Sequence, residues 1–473
     1  MKHIDGRWLR WSTSIEGEPL RAPSKAMGPS HSSDRPGRAQ REMTRADLTN
    51  HIGTTALAFR GYDVANLGRS RELLEHPVYG PSVRATLDRF SEICSEVIQT
   101  KVDLVSYVKA GEKTALETFA HDIATIVGME LAQLELLETI HEVPIRQSKL
   151  TFGYSIGELS ALIFGGSYSL EDLLPLPLEL AHDCAELAGD TTLGVLFTRG
   201  ATLRSEDVER LCRAVSGEGN GLIGPSAYLS PNTALLLGQG NTLSRVEALM
   251  GEFIPDKVML RRNPNQWPPL HSPLVWQHHV PNRTAMRLYQ IKESPPTPKP
   301  AVLSMVTGKA SHNPVDSRDV LIRWTDHPQR LWDVIDESLS SGIEVVIHVG
   351  PTPSLIASTF SRLENNIIRQ MGYGNKYLHI LGRGLASELN RHAWLARLLP
   401  SKASLLRIPY IGHVILEDWL LEQPCEVGSA VAVPREVEET NPLAAGEEPE
   451  LEAEARSLSE TDPVLNESCA SRE

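Results

Sequence analysis

The sequence is poor in aromatic residues, which make up 5% of its 473 positions, so any core it builds must be mainly aliphatic. No apolar run approaches the ~20 residues needed to span a bilayer, which argues against membrane insertion. The N-terminus, M-K-H-I-D-G-R-W-L-R, lacks an apolar stretch of signal-peptide length. Five cysteines (Cys94, Cys184, Cys212, Cys425 and Cys469) lie far apart and form no C-x-x-C pair. That argues against a disulfide framework and against a zinc or other metal site, and it points to a reducing, cytoplasmic setting. There is no basic stripe with interleaved aromatics, so nucleic-acid binding has no support.

The chain does have length enough for a large core, with 41% hydrophobic and 22% charged residues and a net charge of −14. Residues 431–473 hold twelve acids against three bases, so most of the acidity sits in a tail. Residues 1–50 are polar and rich in Pro, Gly and Ser and are expected to be disordered, as is the Glu-, Ala- and Pro-rich stretch 425–473.

The stretch with the most chemical content is Gly153-Tyr154-Ser155-Ile156-Gly157, a G-x-S-x-G. Residues 148–152 before it read as a short apolar strand, and 158–163 after it as the first turns of a helix. A serine at a strand-to-helix turn is held in a strained elbow, and flanking glycines let neighbouring backbone approach it. Its hydroxyl then stands at a helix N-terminus, whose free N–H groups favour negative charge. An acyl-group nucleophile needs that environment.

Alternating strands and helices predict an α/β fold with a mainly parallel, helix-covered sheet. Strands are expected at 54–59, 148–152, 301–306 and 342–349. Helices are expected at 82–99, 102–109, 116–140, 170–187, 320–339 and 354–362, with Pro175 and Pro177 breaking or delaying the 170–187 segment. Between them, 193–198, 205–215, 228–229, 234–237, 242–253 and 257–260 read β-α-β-β-α-β, the order of a small ferredoxin-like unit. Ser205 is the expected cap of its first helix. The expected organisation is a large α/β domain (51–190 and 264–370), a ferredoxin-like insert (191–263) and a helical extension (371–424) that includes a basic amphipathic helix at 383–399. The proline-rich segment 263–282, N-P-N-Q-W-P-P-L-H-S-P-L-V-W-Q-H-H-V-P-N, reads as a loop carrying His271, His278 and His279.

A serine needs a base, and histidine is the usual one near neutral pH. G-Y-S-I-G-E-L-S-A-L-I-F-G-G-S-Y-S-L-E-D-L-L resembles the nucleophile region of malonyl-CoA:acyl-carrier-protein transacylases and of the acyltransferase domains of polyketide and fatty-acid synthases. W-P-P-L-H-S-P-L resembles their P-F-H-S-P-L-M base segment, and V-I-H-V-G-P-T-P-S-L resembles their E-V-G-P-G-x-x-L. The matches run in family order over about residues 54–369. The resemblance implies an α/β-hydrolase-like sheet and a ping-pong acyl transfer from acyl-CoA to an acyl carrier protein, with no cofactor. It makes Ser155 the nucleophile and His271 the base. It places the oxyanion donors on the backbone of Ile156 and Tyr62, and the carbonyl that orients the histidine at Trp324.

Several positions depart from the family pattern. The first-loop signature G-Q-G-S-Q is replaced by Gly61-Tyr62-Asp63-Val64-Ala65, and Tyr154 stands where the family has histidine. By count, the arginine that clamps the malonyl carboxylate becomes Leu180, and an unpaired buried carboxylate is costly. Leu270 adds apolar surface to a pocket expected to include Tyr154 and Leu180. A neutral acyl group is therefore favoured; the alternative is a recruited cation, Arg60 or Arg199, with malonyl retained. Two other readings stay open: an acyl-thioester hydrolase, in which water replaces the carrier thiol, and a non-catalytic paralogue.

Overall fold

The computed structural model describes residues 43–111, 113–199, 201–372 and 403–425. The acidic tail, the N-terminal 42 residues and the expected 383–399 helix lie outside the described residues. Among those described, the strands are β1 (Thr55–Phe59), β2 (Leu150–Gly153), β3 (Thr191–Thr198), β4 (Ile223–Ser230), β5 (Thr233–Gln239), β6 (Val258–Gln266), β7 (Ala301–Leu303), β8 (Val345–Val349) and β9 (Gly412–Ile415).

Five of them form a parallel sheet in the order β7-β2-β1-β8-β9. The central β1 is buried along its whole length, as expected of a parallel strand covered on both faces. Its side chains alternate between two cores: Leu57 and Phe59 face one, Ala56 and Ala58 the other. The first core takes in the helices Gly80–Ile98, Phe119–Thr139, Ile156–Phe164 and Pro175–Ala188. The second takes in Leu331–Ser341, Leu355–Gly372 and one face of the smaller sheet.

The smaller sheet is antiparallel in the order β4-β5-β3-β6. Numbered within the unit, that is 4-1-3-2 read from β6, the ferredoxin-like arrangement. Leu193, Val195, Leu235 and Leu237 point to the large unit, while Leu196, Ala234 and Leu236 point to the helices Ser205–Ser216 and Thr242–Phe253.

Four expectations need correction. Order begins before residue 51: the helix Arg45–His51 starts at a capping box in which Thr44 and Asp47 bond each other's backbone N–H. The extension 371–424 is not wholly helical, because β9 adds a fifth strand beside β8. The 263–282 segment is not all loop. Pro273 and Pro281 open the helical segments Pro273–His278 and Val280–Gln290, where a missing N–H costs nothing. Ser205 does not cap its helix; Arg204 holds the N-cap position and no side chain bonds there. Among the described residues no helix is long and apolar enough to cross a membrane.

Candidate active site

Strand β2 ends at Gly153 and the helix Ile156–Phe164 begins three residues later. Ser155 turns the chain between them at φ 55°, ψ −121°. A non-glycine residue held there costs about 1–3 kcal/mol, and the structure around it fixes that conformation. The Tyr154 N–H donates to Phe59 O at 3.0 Å, and Trp324 Nε1–H donates to Ser155 O at 3.0 Å. The two motif glycines permit the close approach. A Cβ on Gly157 would lie 2.3 Å from Arg60 O, and one on Gly153 would lie 2.0 Å from the Gly157 carbonyl carbon.

His271 arrives from the loop after β6, also at positive φ (66°). Its N–H donates to Thr325 O at 2.7 Å, and Ser226 Oγ of β4 donates to the preceding Leu270 carbonyl at 3.3 Å. The smaller sheet thus helps seat the loop. The imidazole Nε2 lies 2.7 Å from Ser155 Oγ, and Nδ1 lies 2.6 Å from Trp324 O. A carbonyl only accepts, so Nδ1 carries the proton and the Nε2 lone pair faces the serine hydroxyl. Burial pushes the imidazole down to about 4, so it is neutral at neutral pH and able to take a proton. The Ile156 and Tyr62 N–H groups, the expected oxyanion donors, have no hydrogen-bond acceptor among the described residues. Ile156 is the first residue of its helix, where the N–H has no intrahelical partner.

A small pocket, open to solvent, reaches this pair. It is lined by Tyr62, Phe119, Tyr154, Trp267, Pro268 and Leu270, with Ser226, Ser155 and His271. Tyr62 packs edge-on against both Phe119 (4.7 Å between centroids) and Trp267 (5.7 Å). A chain poor in aromatics concentrates four of them here, and among the described residues no charged side chain lines the cavity. Among the described residues no cluster of three or more His, Cys, Asp or Glu could hold a metal.

No protein-family profile matches the chain. A probable mitochondrial malonyl-CoA-acyl carrier protein transacylase of Drosophila melanogaster is 22% identical over 315 residues, covering 64% of this chain and 78% of that protein. The crystal structure of FabD from Acinetobacter baumannii superposes with a TM-score of 0.54 at 20% identity, over 66% of this chain and 91% of its own. MCAT from Streptococcus pneumoniae gives 0.53 at 22%, over 65% and 92%. A type II polyketide acyl carrier protein in complex with its malonyl-transacylase gives 0.51 at 20%, over 64% and 91%. The chain has the transacylase fold. Its sequence and fold are similar to those of malonyl-CoA:acyl carrier protein transacylases.

Of the three residues expected in the pocket, Tyr154 and Leu270 line the cavity and Leu180 does not. That residue is 2% exposed within the apolar core and does not line the cavity. Pro175 opens a new helix, so a count through the prolines did not locate its side chain. Of the two substitute cations, Arg60 is fully committed. Its guanidinium donates to the carbonyls of Gly61, Pro351 and Ala65 and to Asn66 Oδ1. Arg199 is exposed at the end of β3 and is not part of the lining.

Four participants escaped the sequence reading. Phe119 and Trp267 complete the aromatic lining. Glu158, directly after the motif, is fully buried; it lies 2.9 Å from His312 Nε2 and accepts the Met305 N–H at 2.9 Å, so it anchors the elbow helix. Gln329 contacts both Ser155 and His271. A glutamate following G-x-S-x-G was the one local signal available. The others depend on packing between segments far apart in the chain.

Proposed function

We propose that this protein transfers an acyl group from acyl-CoA to the phosphopantetheine thiol of an acyl carrier protein, in fatty-acid or polyketide-type biosynthesis. The observation that carries the reading is the 2.7 Å contact between Ser155 Oγ and His271 Nε2, with Nδ1 held on the Trp324 carbonyl. His271 takes the Ser155 proton as Oγ bonds to the thioester carbonyl carbon. The carbonyl oxygen becomes an oxyanion held by the Ile156 and Tyr62 N–H groups. The C–S bond then breaks, CoA leaves with the proton from His271, and an acyl ester remains on Ser155. The carrier thiol repeats the sequence in reverse, giving its proton to His271 and collecting the acyl group.

A neutral acyl group, acetyl or longer, suits the pocket better than malonyl. Its lining is aromatic and aliphatic, Arg60 is engaged elsewhere, and Leu180 supplies no charge. The named activity of the relatives and the solved complex of one of them with a carrier protein support the acceptor. Free thiols at Cys94, Cys184, Cys212 and Cys425 suit a reducing compartment, cytoplasmic in this reading. The test is to load the protein with radiolabelled acetyl-CoA and then add a phosphopantetheinylated carrier or buffer alone. Label moving to the carrier supports transfer. Release as free acetate at the same rate with and without carrier makes the protein a hydrolase instead.

A further inference from the structure

Gln329 sits between the two members of the relay and is fully buried. The Ser155 N–H donates to Gln329 Oε1 at 3.1 Å, and Gln329 Nε2 lies 3.1 Å from His271 Nδ1. Its backbone is clamped on β4: Gln329 N–H donates to Ser226 O, and Tyr228 N–H donates to Gln329 O, each at 2.8 Å. The amide is therefore held where it stands.

Both of its neighbours are donors. The Ser155 N–H is one by constitution. His271 Nδ1 is the other, because it lies 2.6 Å from a carbonyl oxygen and must carry the proton. A primary amide offers one accepting oxygen and one donating NH2. It satisfies one of these neighbours and turns a donor toward the second. A carboxylate of the same shape would accept from both; in a Ser-His-Asp relay the acid accepts from the histidine Nδ1–H.

We propose that Gln329 is a positioning residue that fixes the Ser155 backbone and fills, as an uncharged amide, the place of a relay acid, so that His271 works without a counter-charge. The inference rests on the Ser155–His271 reading given above. The surroundings of the ring agree with it. The titratable groups at the pocket are the Tyr62 and Tyr154 phenols, both pushed up by burial, with Asp63 acting on them. From the other side come the Trp324 indole, edge-on at 5.0 Å, and the neutral Ser226 and Leu270. No carboxylate or cation perturbs His271; burial lowers it and only the Trp324 carbonyl opposes.

The test compares the full-length protein with Gln329→Glu and Gln329→Leu. Two readouts are taken: the His271 midpoint, by NMR of 15N-histidine-labelled protein with His271→Gln for assignment, and the pH profile of Ser155 acylation by acetyl-CoA. Gln329→Glu should raise the midpoint by about 1–3 units, with the pair titrating together. Gln329→Leu should leave the midpoint in place but slow acylation by about tenfold, the value of one lost hydrogen bond to the nucleophile backbone. An unchanged midpoint in Gln329→Glu overturns the proposal, as does wild-type acylation in a folded Gln329→Leu. If the leucine variant fails to fold, the titration of the isosteric glutamate variant decides alone. The titration does not need acyl transfer. A shifted midpoint in a protein that acetyl-CoA never labels would sink the acyltransferase reading and keep this one.

Discussion

Malonyl-CoA is the sharpest probe of the pocket, because it differs from acetyl-CoA by one carboxylate. Bound with its thioester at Ser155, that carboxylate must enter a cavity lined by Tyr62, Phe119, Tyr154, Trp267 and Leu270. Among the described residues no cation lines it, and the Arg60 guanidinium is spent on four acceptors. An unpaired carboxylate taken from water costs several kcal/mol even after relaxation. The Tyr62 and Tyr154 hydroxyls recover part of that. A residual of about 3 kcal/mol makes acetyl the better substrate by about 100-fold in kcat/KM. The assay is competition between equimolar acetyl-CoA and malonyl-CoA, with the Ser155 adduct read by intact-protein mass spectrometry at early times. Leu180→Arg should not rescue malonyl, because its side chain lies in the core away from the lining. A malonyl adduct equal to or exceeding the acetyl adduct in the unmodified protein would refute the reasoning.

Other consequences can be checked with simple variants. Gly157→Ala places a methyl group 2.3 Å from the Arg60 carbonyl; it should lower stability by at least about 2–3 kcal/mol, seen as an earlier urea midpoint, and abolish Ser155 labelling. Trp324→Phe keeps the carbonyl that holds His271 but loses the indole N–H bond to Ser155 O; stability should fall by about 1–2 kcal/mol in urea while labelling persists. His413, on β9, lies 3.0 Å from His348 on β8 and is pushed down to about 4 by burial. Its folded value is below its unfolded value, so its contribution is intact above about pH 6.5 and lost as pH falls toward 4. His413→Phe should therefore lose this dependence and gain about 2 kcal/mol relative to wild type between pH 7 and pH 5. Asp122, raised by burial to about 6, and Glu130, raised well above its usual range, oppose this in both proteins and cancel in the comparison. Parallel unfolding curves at the two pH values would contradict the assignment.

The readable parts of the sequence were those whose cause is local. The elbow announces itself because strand, turn and helix occupy consecutive residues, and the ferredoxin-like insert because its turns punctuate it at short range. Some helix boundaries moved by only a few residues, as at Gly80–Ile98 against an expected 82–99, but the helix expected at 354–362 runs on to Gly372, and 320–339 holds two helices, Ser317–Asp326 and Leu331–Ser341. Where the cause is remote, the reading fell short. The four residues of β9 have no hairpin to betray them; they become a strand only because β8 offers a free parallel edge. Leu180 was placed by counting across two prolines, and counting does not report which face a restarted helix presents. Gln329 looks like any polar residue after a proline, and only its register against Ala227 on β4 carries its amide between serine and histidine. The Thr44–Asp47 capping box, by contrast, was there to be read in T-R-A-D.

The central claim is that His271 makes Ser155 a nucleophile toward acyl thioesters. Intact-mass analysis with acetyl-CoA, applied to the unmodified protein, Ser155→Ala and His271→Ala, tests it most directly. The account predicts a single acetyl group on the unmodified protein, mapped to Ser155, none on Ser155→Ala and only slow labelling of His271→Ala. Equal labelling of all three proteins, or none of the unmodified one, would contradict it.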